Sequence, residues 1–187
     1  MKSTICFNVD SKTRIPSSIF SKAIGRKDRI VDNSIDWDIS AVLLDSQNQL
    51  ISQDGFIFFN NPNYKDDIIT IKSSFEINCH SEFDEEIIID LDRIPINVSS
   101  VMFFLSNHQK FNFDIASIEV IIKSSPFQTE DSNQFTIARD NVGNALELFK
   151  FSRELDRSLW KIEILNLSIS DPNGMSFILN KYSGQQS

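Results

Sequence analysis

The chain alternates between short windows of hydrophobic residues and clusters of turn-forming residues. In the window 36–43 (DWDISAVL), the apolar odd-numbered residues fall on one face, and Asp36, Asp38 and Ser40 fall on the other until Val42 breaks the pattern. A period of two residues predicts a strand, because successive side chains of a strand point to opposite faces. Further short apolar runs occur at 56–59, 68–71, 87–89, 101–105, 115–122, 146–151, 160–169 and 176–179.

Clusters rich in Asn, Pro and Ser separate these runs at 60–63, 95–97, 124–126 and 171–174. Many short strands punctuated by turns predict a sandwich or a barrel. The residue usage agrees, since Ile and Ser are the commonest residues and 16 Phe are present, and β-branched and aromatic side chains suit strands. We further expect a first strand at 1–9, a strand or one helical turn at 19–29, and a polar loop at 129–133.

Length and charge limit the classes of function. A chain of 187 residues predicts one domain, 1–187, with residues 185–187 as a frayed tail. The 18 basic and 26 acidic residues give a net charge of −8. This balance argues against a nucleic-acid partner, because phosphate binding needs clustered Lys and Arg. It permits the binding of cations.

The few cysteines and histidines carry no zinc motif. Cys6 and Cys79 lack paired C-x-x-C spacing, and His80 and His108 are the only histidines. Two cysteines fit a reducing compartment. No apolar stretch approaches the ~20 residues of a membrane-spanning helix, and residues 1–10 carry no apolar run of signal-peptide length. We therefore expect a cytoplasmic protein.

Three clusters of acidic and amide residues are candidates for a metal site. They are Asp36-x-Asp38, then Asp54 followed by Asn60-Asn61, and then Glu82-x-Asp84-Glu85-Glu86. A D-x-D pair on a strand places both carboxylates on one face, where a cation between them relieves their repulsion. Ca²⁺ takes six to eight oxygen ligands of these kinds. The alternative interpretation is that these charges form solvated faces.

Catalytic arrangements have less support in the residues. Two carboxylates suffice for glycoside hydrolysis, but no acid here lies in an evident apolar pocket. No G-x-S-x-G motif is present to suggest a Ser-His-Asp triad. We therefore predict a protein that is not an enzyme.

Two blocks of this sequence resemble the bacterial tellurite-resistance TerD family. Residues 35–61 (IDWDISAVLLDSQNQLISQDGFIFFNN) resemble its D-x-D strand and the following D-x-F-I/V-F-Y-N-N element. Residues 84–106 (DEEIIIDLDRIPINVSSVMFFLS) resemble the next element, D/E-E-x-I-x-V-D-L-x-x-[IV]-P. The segments FNFDIASIEVII, ALELFKFSREL and SLWKIE resemble later elements in the same order, so that the likeness covers about residues 35–163.

The resemblance implies a fold, a ligand and a role. The fold is an all-β, antiparallel sandwich of two sheets with few short helices. The ligand is Ca²⁺, and the positions that match the family's acidic motifs are Asp36, Asp38, Asp54, Asn60, Asp84 and Glu85. The role is that of a non-enzymatic stress-response or tellurite-resistance protein whose protein partners include other products of its stress operon.

Two departures from the family pattern limit the expected metal content. The upstream G-L-G-W-D element is replaced by the sequence around 24–26 (IGR), and the loop 76–85 (EINCHSEFDE) lacks the family's glycines. Without glycine, the backbone does not readily take positive φ around an ion. We expect at most one calcium site. Two alternatives stay open, a metal-free scaffold for partner proteins and a module that contacts membrane surfaces only with bound cation.

Overall fold

The computed structural model describes residues 2–15, 29–31, 37–73, 85–107, 115–124, 129–137, 145–154, 159–169 and 174–184. This part of the chain forms twelve strands and one α-helix. The strands are β1 (Lys2–Ile15), β2 (Arg29–Val31), β3 (Trp37–Leu44), β4 (Phe56–Ile57), β5 (Asn63–Tyr64), β6 (Ile69–Ser73), β7 (Glu85–Asp90), β8 (Ser100–Asn107), β9 (Ile115–Ser124), β10 (Thr129–Ile137), β11 (Ala145–Arg153) and β12 (Trp160–Ile169). The helix is α1 (Gly174–Tyr182), and a short 3-10 helix covers Gln53–Gly55.

The strands form two sheets in which every pairing is antiparallel. The seven-stranded sheet has the order β10-β9-β1-β7-β6-β5, with β2 pairing with β1. The five-stranded sheet has the order β12-β11-β8-β3-β4. The prediction of an all-β antiparallel sandwich is thereby confirmed.

The main core lies between the two sheets. Apolar residues of β3, β8 and β11 meet those of β5, β6 and β7, and Ile39, Leu43 and Phe103 are fully buried there. Phe103 stacks on Phe149 with ring centroids 4.6 Å apart. It also meets Phe151 edge-to-face at 5.4 Å. The aromatic residues that favoured strands in the sequence thus form the centre of the sandwich.

A second apolar cluster covers the opposite, outer face of the five-stranded sheet. Val42 and Phe104 on the sheet pack there with Ile178 and Tyr182 of α1. This packing explains why Val42 breaks the alternation in β3, since both faces of that strand are buried beyond Asp38. The rings of Phe104 and Tyr182 meet with their centroids 5.9 Å apart.

Two sequence interpretations were wrong. The run 176–179, grouped with the strands, lies inside α1, where Ile178 and Tyr182 sit four residues apart on the buried side. A run of four apolar residues is too short to separate a strand from a buried helix turn. The polar segment 129–133 is not a loop but the first half of β10, paired with β9 from Thr129 onward.

Other predicted elements agree or lie outside the described residues. The expected first strand at 1–9 is present as β1, and the run 160–169 matches β12. Of the segment 19–29, only Arg29 at the start of β2 is described, and the tail 185–187 is outside the described residues. The helix that is described is too short to cross a membrane.

The register of β3 and β8 defines the two ends of the sandwich. At one end, Asp38 pairs with Ser106, and we call this the Asp38 end. At the other end, Leu44 pairs with Ser100, and we call this the Leu44 end. The turn 91–99 joins β7 to β8 at the Leu44 end, because the N–H of Ser99 donates to the Leu44 carbonyl at 2.8 Å.

Arg153 holds the turn 91–99 in place. Its guanidinium donates to the carbonyls of Val98 (3.1 Å), Ile94 (2.9 Å) and Pro95 (3.2 Å). One face of the guanidinium lies over the ring of Trp160, 4.3 Å from the centroid. A planar fork of fixed donors suits several carbonyls at once, which a lysine does not reproduce.

We expect Arg153→Met to lower the free energy of unfolding by about 2–3 kcal/mol, since charged donors to half-buried carbonyls are lost. Denaturant unfolding at pH 7 measures the change. Arg153→Lys should recover only part of it. Arg93→Met is the matched control, because Arg93 is exposed in the same turn, and should change stability by less than about 0.5 kcal/mol. Equal losses in the two Met variants would contradict this role.

Candidate metal site

Asp38 is the described half of the D-x-D pair. It lies on the outer face of β3, on the same side as Ser40 and Val42, and its side chain is half-buried. The hydroxyl of Ser106 on β8 donates to the Asp38 carbonyl at 3.4 Å. The pairing with β8 therefore fixes the backbone of Asp38 at the start of a central strand.

Asn60 lies at the same end as Asp38. Ile57 pairs with Ala41 in the antiparallel ladder of β4 and β3. Asn60 follows Ile57 by three residues and Asp38 precedes Ala41 by three, so that both lie on the same side of this pair. The turn 58–61, closed by reciprocal backbone bonds of 3.1 and 2.8 Å, leaves Asn60 exposed to solvent.

Glu85 begins β7 at the same end of the sandwich. The Pro62 carbonyl accepts the N–H of Ile71 at 2.9 Å, and Ile71 pairs with Ile87. Because β5 and β7 are both antiparallel to β6, they run in the same direction. Asn60 lies two residues before Pro62, and Glu85 lies two residues before Ile87. Asn60 and Glu85 are therefore at the same end of the sandwich, the Asp38 end.

Asp54 lies toward the Leu44 end. It belongs to the 3-10 helix Gln53–Gly55. The N–H of Ile51 before this helix donates to the Leu43 carbonyl at 3.1 Å, and Phe56 after it pairs with Val42. Along β3, Asp38 is four residues from Val42 and five from Leu43, or about 13–17 Å. The chain reaches β4 from the Leu44 end, which no motif in the sequence reveals.

The two other predicted ligands, Asp36 and Asp84, lie outside the described residues. In sequence they directly precede Trp37 and Glu85, the first residues of β3 and β7. Among the described residues alone, no three His, Cys, Asp or Glu side chains come together as a metal-binding group. The described residues that lie at the Asp38 end offer oxygen atoms as metal ligands, which fits calcium rather than zinc.

Sequence reasoning missed a buried polar network beneath α1. Glu147 on β11 is 3% exposed, and its carboxylate bonds the ammonium of Lys181 and accepts from the Tyr182 hydroxyl at 3.2 Å. The signal was present in the sequence as a carboxylate inside the apolar run ALELF. A buried charge of this kind needs a partner.

The network raises the pKa of both α1 residues. Burial by itself lowers the pKa of Lys181, but the hydrogen bond and the charge of Glu147 outweigh it, and the pKa lies above the usual 10.5. Burial, and then the charge of Glu147, raise the pKa of Tyr182 above 10.0. Lys181 therefore stays protonated and Tyr182 stays neutral across the neutral range.

A cleft of about 660 Å³ opens beside this network on the outer face. Its lining residues are Gln47, Asn48, Gln49, Met102, Lys150, Lys181, Tyr182 and Gly184. Its two lysines are each paired, Lys150 with Glu163 at 3.1 Å and Lys181 with Glu147. The cleft therefore has no excess positive charge to hold an anion.

Comparison with known proteins identifies the family of this chain. The family profile described as the TerD domain matches residues 19–156. The chain therefore belongs to the TerD domain family, which is associated with tellurite resistance. No curated protein matches it.

Two solved structures share the fold at low sequence identity. One is a homologue of telluride resistance protein (TerD) from Streptomyces coelicolor A3(2), with 15% identity, a TM-score of 0.56, and coverage of 91% of this chain and 90% of that chain. The other is SAV2460, described as a protein of unknown function, with 14% identity, a TM-score of 0.61, and coverage of 99% and 98%. At these identities the likeness concerns the fold alone.

Proposed function

We propose that this chain is a non-enzymatic calcium-binding protein of a tellurite or general stress response, acting in the cytoplasm. One ion is held at the Asp38 end by Asp36, Asp38, Asn60 and Asp84, with Glu85 at the edge of the site. The observation that carries the proposal is the strand register, which brings Asp38, Asn60 and Glu85 from three separate segments to one end.

The chemistry of these residues suits a hard divalent cation. Two carboxylates of a D-x-D pair and an amide oxygen supply oxygen ligands, and backbone carbonyls and water complete the six to eight that Ca²⁺ takes. Bound calcium supplies positive charge that offsets the repulsion of neighbouring carboxylates. Asp54, at the Leu44 end, is not part of this ligand set.

We propose one bound ion rather than two because of the composition of the loop 76–85. It contains none of the chain's five glycines. Side chains disfavour the positive φ values that wrap a loop around an ion. Of the proposed residues, only Asp84 and Glu85, at the C-terminal end of the loop, come from it.

We expect Ca²⁺, but not Mg²⁺, to raise the melting temperature of the metal-stripped protein. Binding to the folded state adds about 2.7 kcal/mol at 100 times Kd, which corresponds to a rise of about 5–10 °C for a chain of this size. Thermal unfolding with Ca²⁺, with Mg²⁺ and with chelator measures the shift.

The double variant Asp36→Asn with Asp38→Asn should fold and lose the calcium shift. Asp54→Asn is the matched control and should keep it. If the double variant responds to calcium like the parent, the ligands are wrongly placed. If the well-folded parent shows no calcium shift, the alternative of a metal-free interaction scaffold is favoured.

A further inference from the structure

Strand β12 ends the five-stranded sheet with a solvent-exposed edge. It pairs with β11 on one side, and none of the described strands pairs with its other side. Residues 161–164 in the middle of the strand are all exposed. Such an edge presents unpaired backbone N–H and C=O groups, which are a template for another strand.

The inner face of this edge is apolar and uncovered. Ile162 pairs with Phe151 and Ile164 pairs with Phe149, and both phenylalanines are buried in the main core. The two isoleucines continue the same face but are 41% and 51% exposed. Trp160, on the same face, is only partly buried against the core. The apolar layer thus extends past the area that the described core covers.

The usual devices that block an edge are weak in this segment. From Trp160 to Ile164 there is no proline or glycine, and neither charged residue of the segment lies on its inner face. The register shift of β11 lies farther along, between Glu147 and Phe149. The only charges are Lys161 and Glu163, which alternate on the outer face and have opposite signs.

We propose that two copies of this chain pair through β12, antiparallel and centred on Ile162. In this register Lys161 lies opposite the partner's Glu163, and the reverse contact follows by two-fold symmetry. Trp160 lies opposite the partner's Ile164, and the two Ile162 side chains meet on the axis. Oppositely charged and aromatic–aliphatic cross-strand pairs are both favourable.

Other symmetric registers lack this match. Directly opposed residues of two antiparallel strands lie on the same face of the sheet. The two-fold axis therefore passes between the two copies of one residue, and not between two residues that are adjacent in sequence. An axis at Lys161 or at Glu163 opposes two like charges, which is unfavourable. An axis at Ile164 places Glu163 opposite the partner's Leu165. Only the register centred on Ile162 pairs both charges.

The neighbouring strand adds to the complementarity. Lys150 on β11 pairs with Glu163, with Nζ and the carboxylate oxygen 3.1 Å apart. Across the new interface the charges then alternate as Lys150, Glu163 and the partner's Lys161. The isologous contact closes as a dimer, since each copy has used its β12 edge.

The test is the mass of the full chain in solution, measured by sedimentation equilibrium from about 1 μM to about 1 mM. We expect a species of twice the 21.4 kDa chain mass. Lys161→Glu and Glu163→Lys should each weaken dimerisation by about tenfold or more, because each opposes like charges. An equimolar mixture of the two variants should regain the dimer, since one copy then presents two acids and the other two bases.

Lys65→Glu is the control for a change of charge alone, because Lys65 is exposed in the turn after β5. It should dimerise like the parent. Hydrogen exchange provides a second readout, in which the amides of 161–164 that point away from β11, every second one, gain protection with concentration in the parent but not in Lys161→Glu. A parent that stays monomeric, or charge variants that dimerise like the parent and fail to favour the mixture, would overturn the proposal.

Discussion

Phe103→Ala is expected to lower the free energy of unfolding by about 3–5 kcal/mol, the largest effect of any single change considered for this chain. Phe103 is 0% exposed on the central strand β8, and its ring meets both Phe149 and Phe151. Its removal leaves a cavity between two sheets whose hydrogen bonding prevents collapse. The midpoint of urea unfolding, at an unchanged slope, measures the loss.

Two control variants separate cavity formation from the mere loss of a phenylalanine. Phe103→Leu keeps most of the buried volume and should cost less than half as much as Phe103→Ala. Phe59→Ala removes a ring that is 49% exposed and should cost less than about 1 kcal/mol. Equal effects at positions 103 and 59 would show that the sandwich core does not lie where it is described.

Lys181→Met is expected to lower stability by about 2–3 kcal/mol at pH 7. The change leaves the carboxylate of Glu147 buried with only the Tyr182 hydroxyl as a described partner. Breaking a fully buried pair costs about 3–5 kcal/mol, and the smaller value applies because the Lys181 side chain is 41% exposed.

The double variant Glu147→Leu with Lys181→Met tests the origin of that loss. Replacing both partners by apolar groups removes the buried charge, so that stability should return to within about 1 kcal/mol of the parent. Additive losses from the two substitutions would mean that packing, not the unpaired charge, accounts for the effect. A double-mutant cycle by denaturant unfolding gives the coupling energy directly.

The same network contributes a loss of stability at alkaline pH. The pKa values of Lys181 and Tyr182 are both raised in the folded state. Above pH 10, where the unfolded chain begins to release these protons, the folded state still holds them, and stability therefore falls as pH rises. Glu147→Gln should flatten this fall, whereas stability at pH 7–9 should show little dependence on pH from these two groups.

A strand could be predicted from the sequence where its hydrophobic pattern reflects a single kind of surroundings. The run 160–169 gave β12 because its apolar residues are β-branched or long and the turn-forming sequence 171–174 follows it. The polar segment 129–133 could not be predicted as a strand, because β10 is held by backbone pairing with β9, and that pairing leaves no hydrophobic signature. Ile178 and Tyr182 carried the helical spacing of α1, but only over a single interval.

The candidate site could be predicted only in part, for a reason of connectivity. Asp38, Asn60 and Glu85 share an end because of the directions in which β4, β5 and β7 run through the sandwich. These directions follow from the order of the strands and cannot be read from any motif. The distance of Asp54 from Asp38 depends on how the chain enters β4, which the sequence does not reveal. Glu147 was missed since its partners lie more than 30 residues away on α1.

A ¹H–¹⁵N NMR titration of the metal-stripped protein with Ca²⁺ tests the proposed calcium site most directly. We expect saturable shifts of the backbone amides of Asp38, Asn60 and Glu85, together at the Asp38 end, while the amide of Asp54 stays unchanged. Shifts centred on the 3-10 helix Gln53–Gly55, or no saturable shifts in a folded sample, would contradict it.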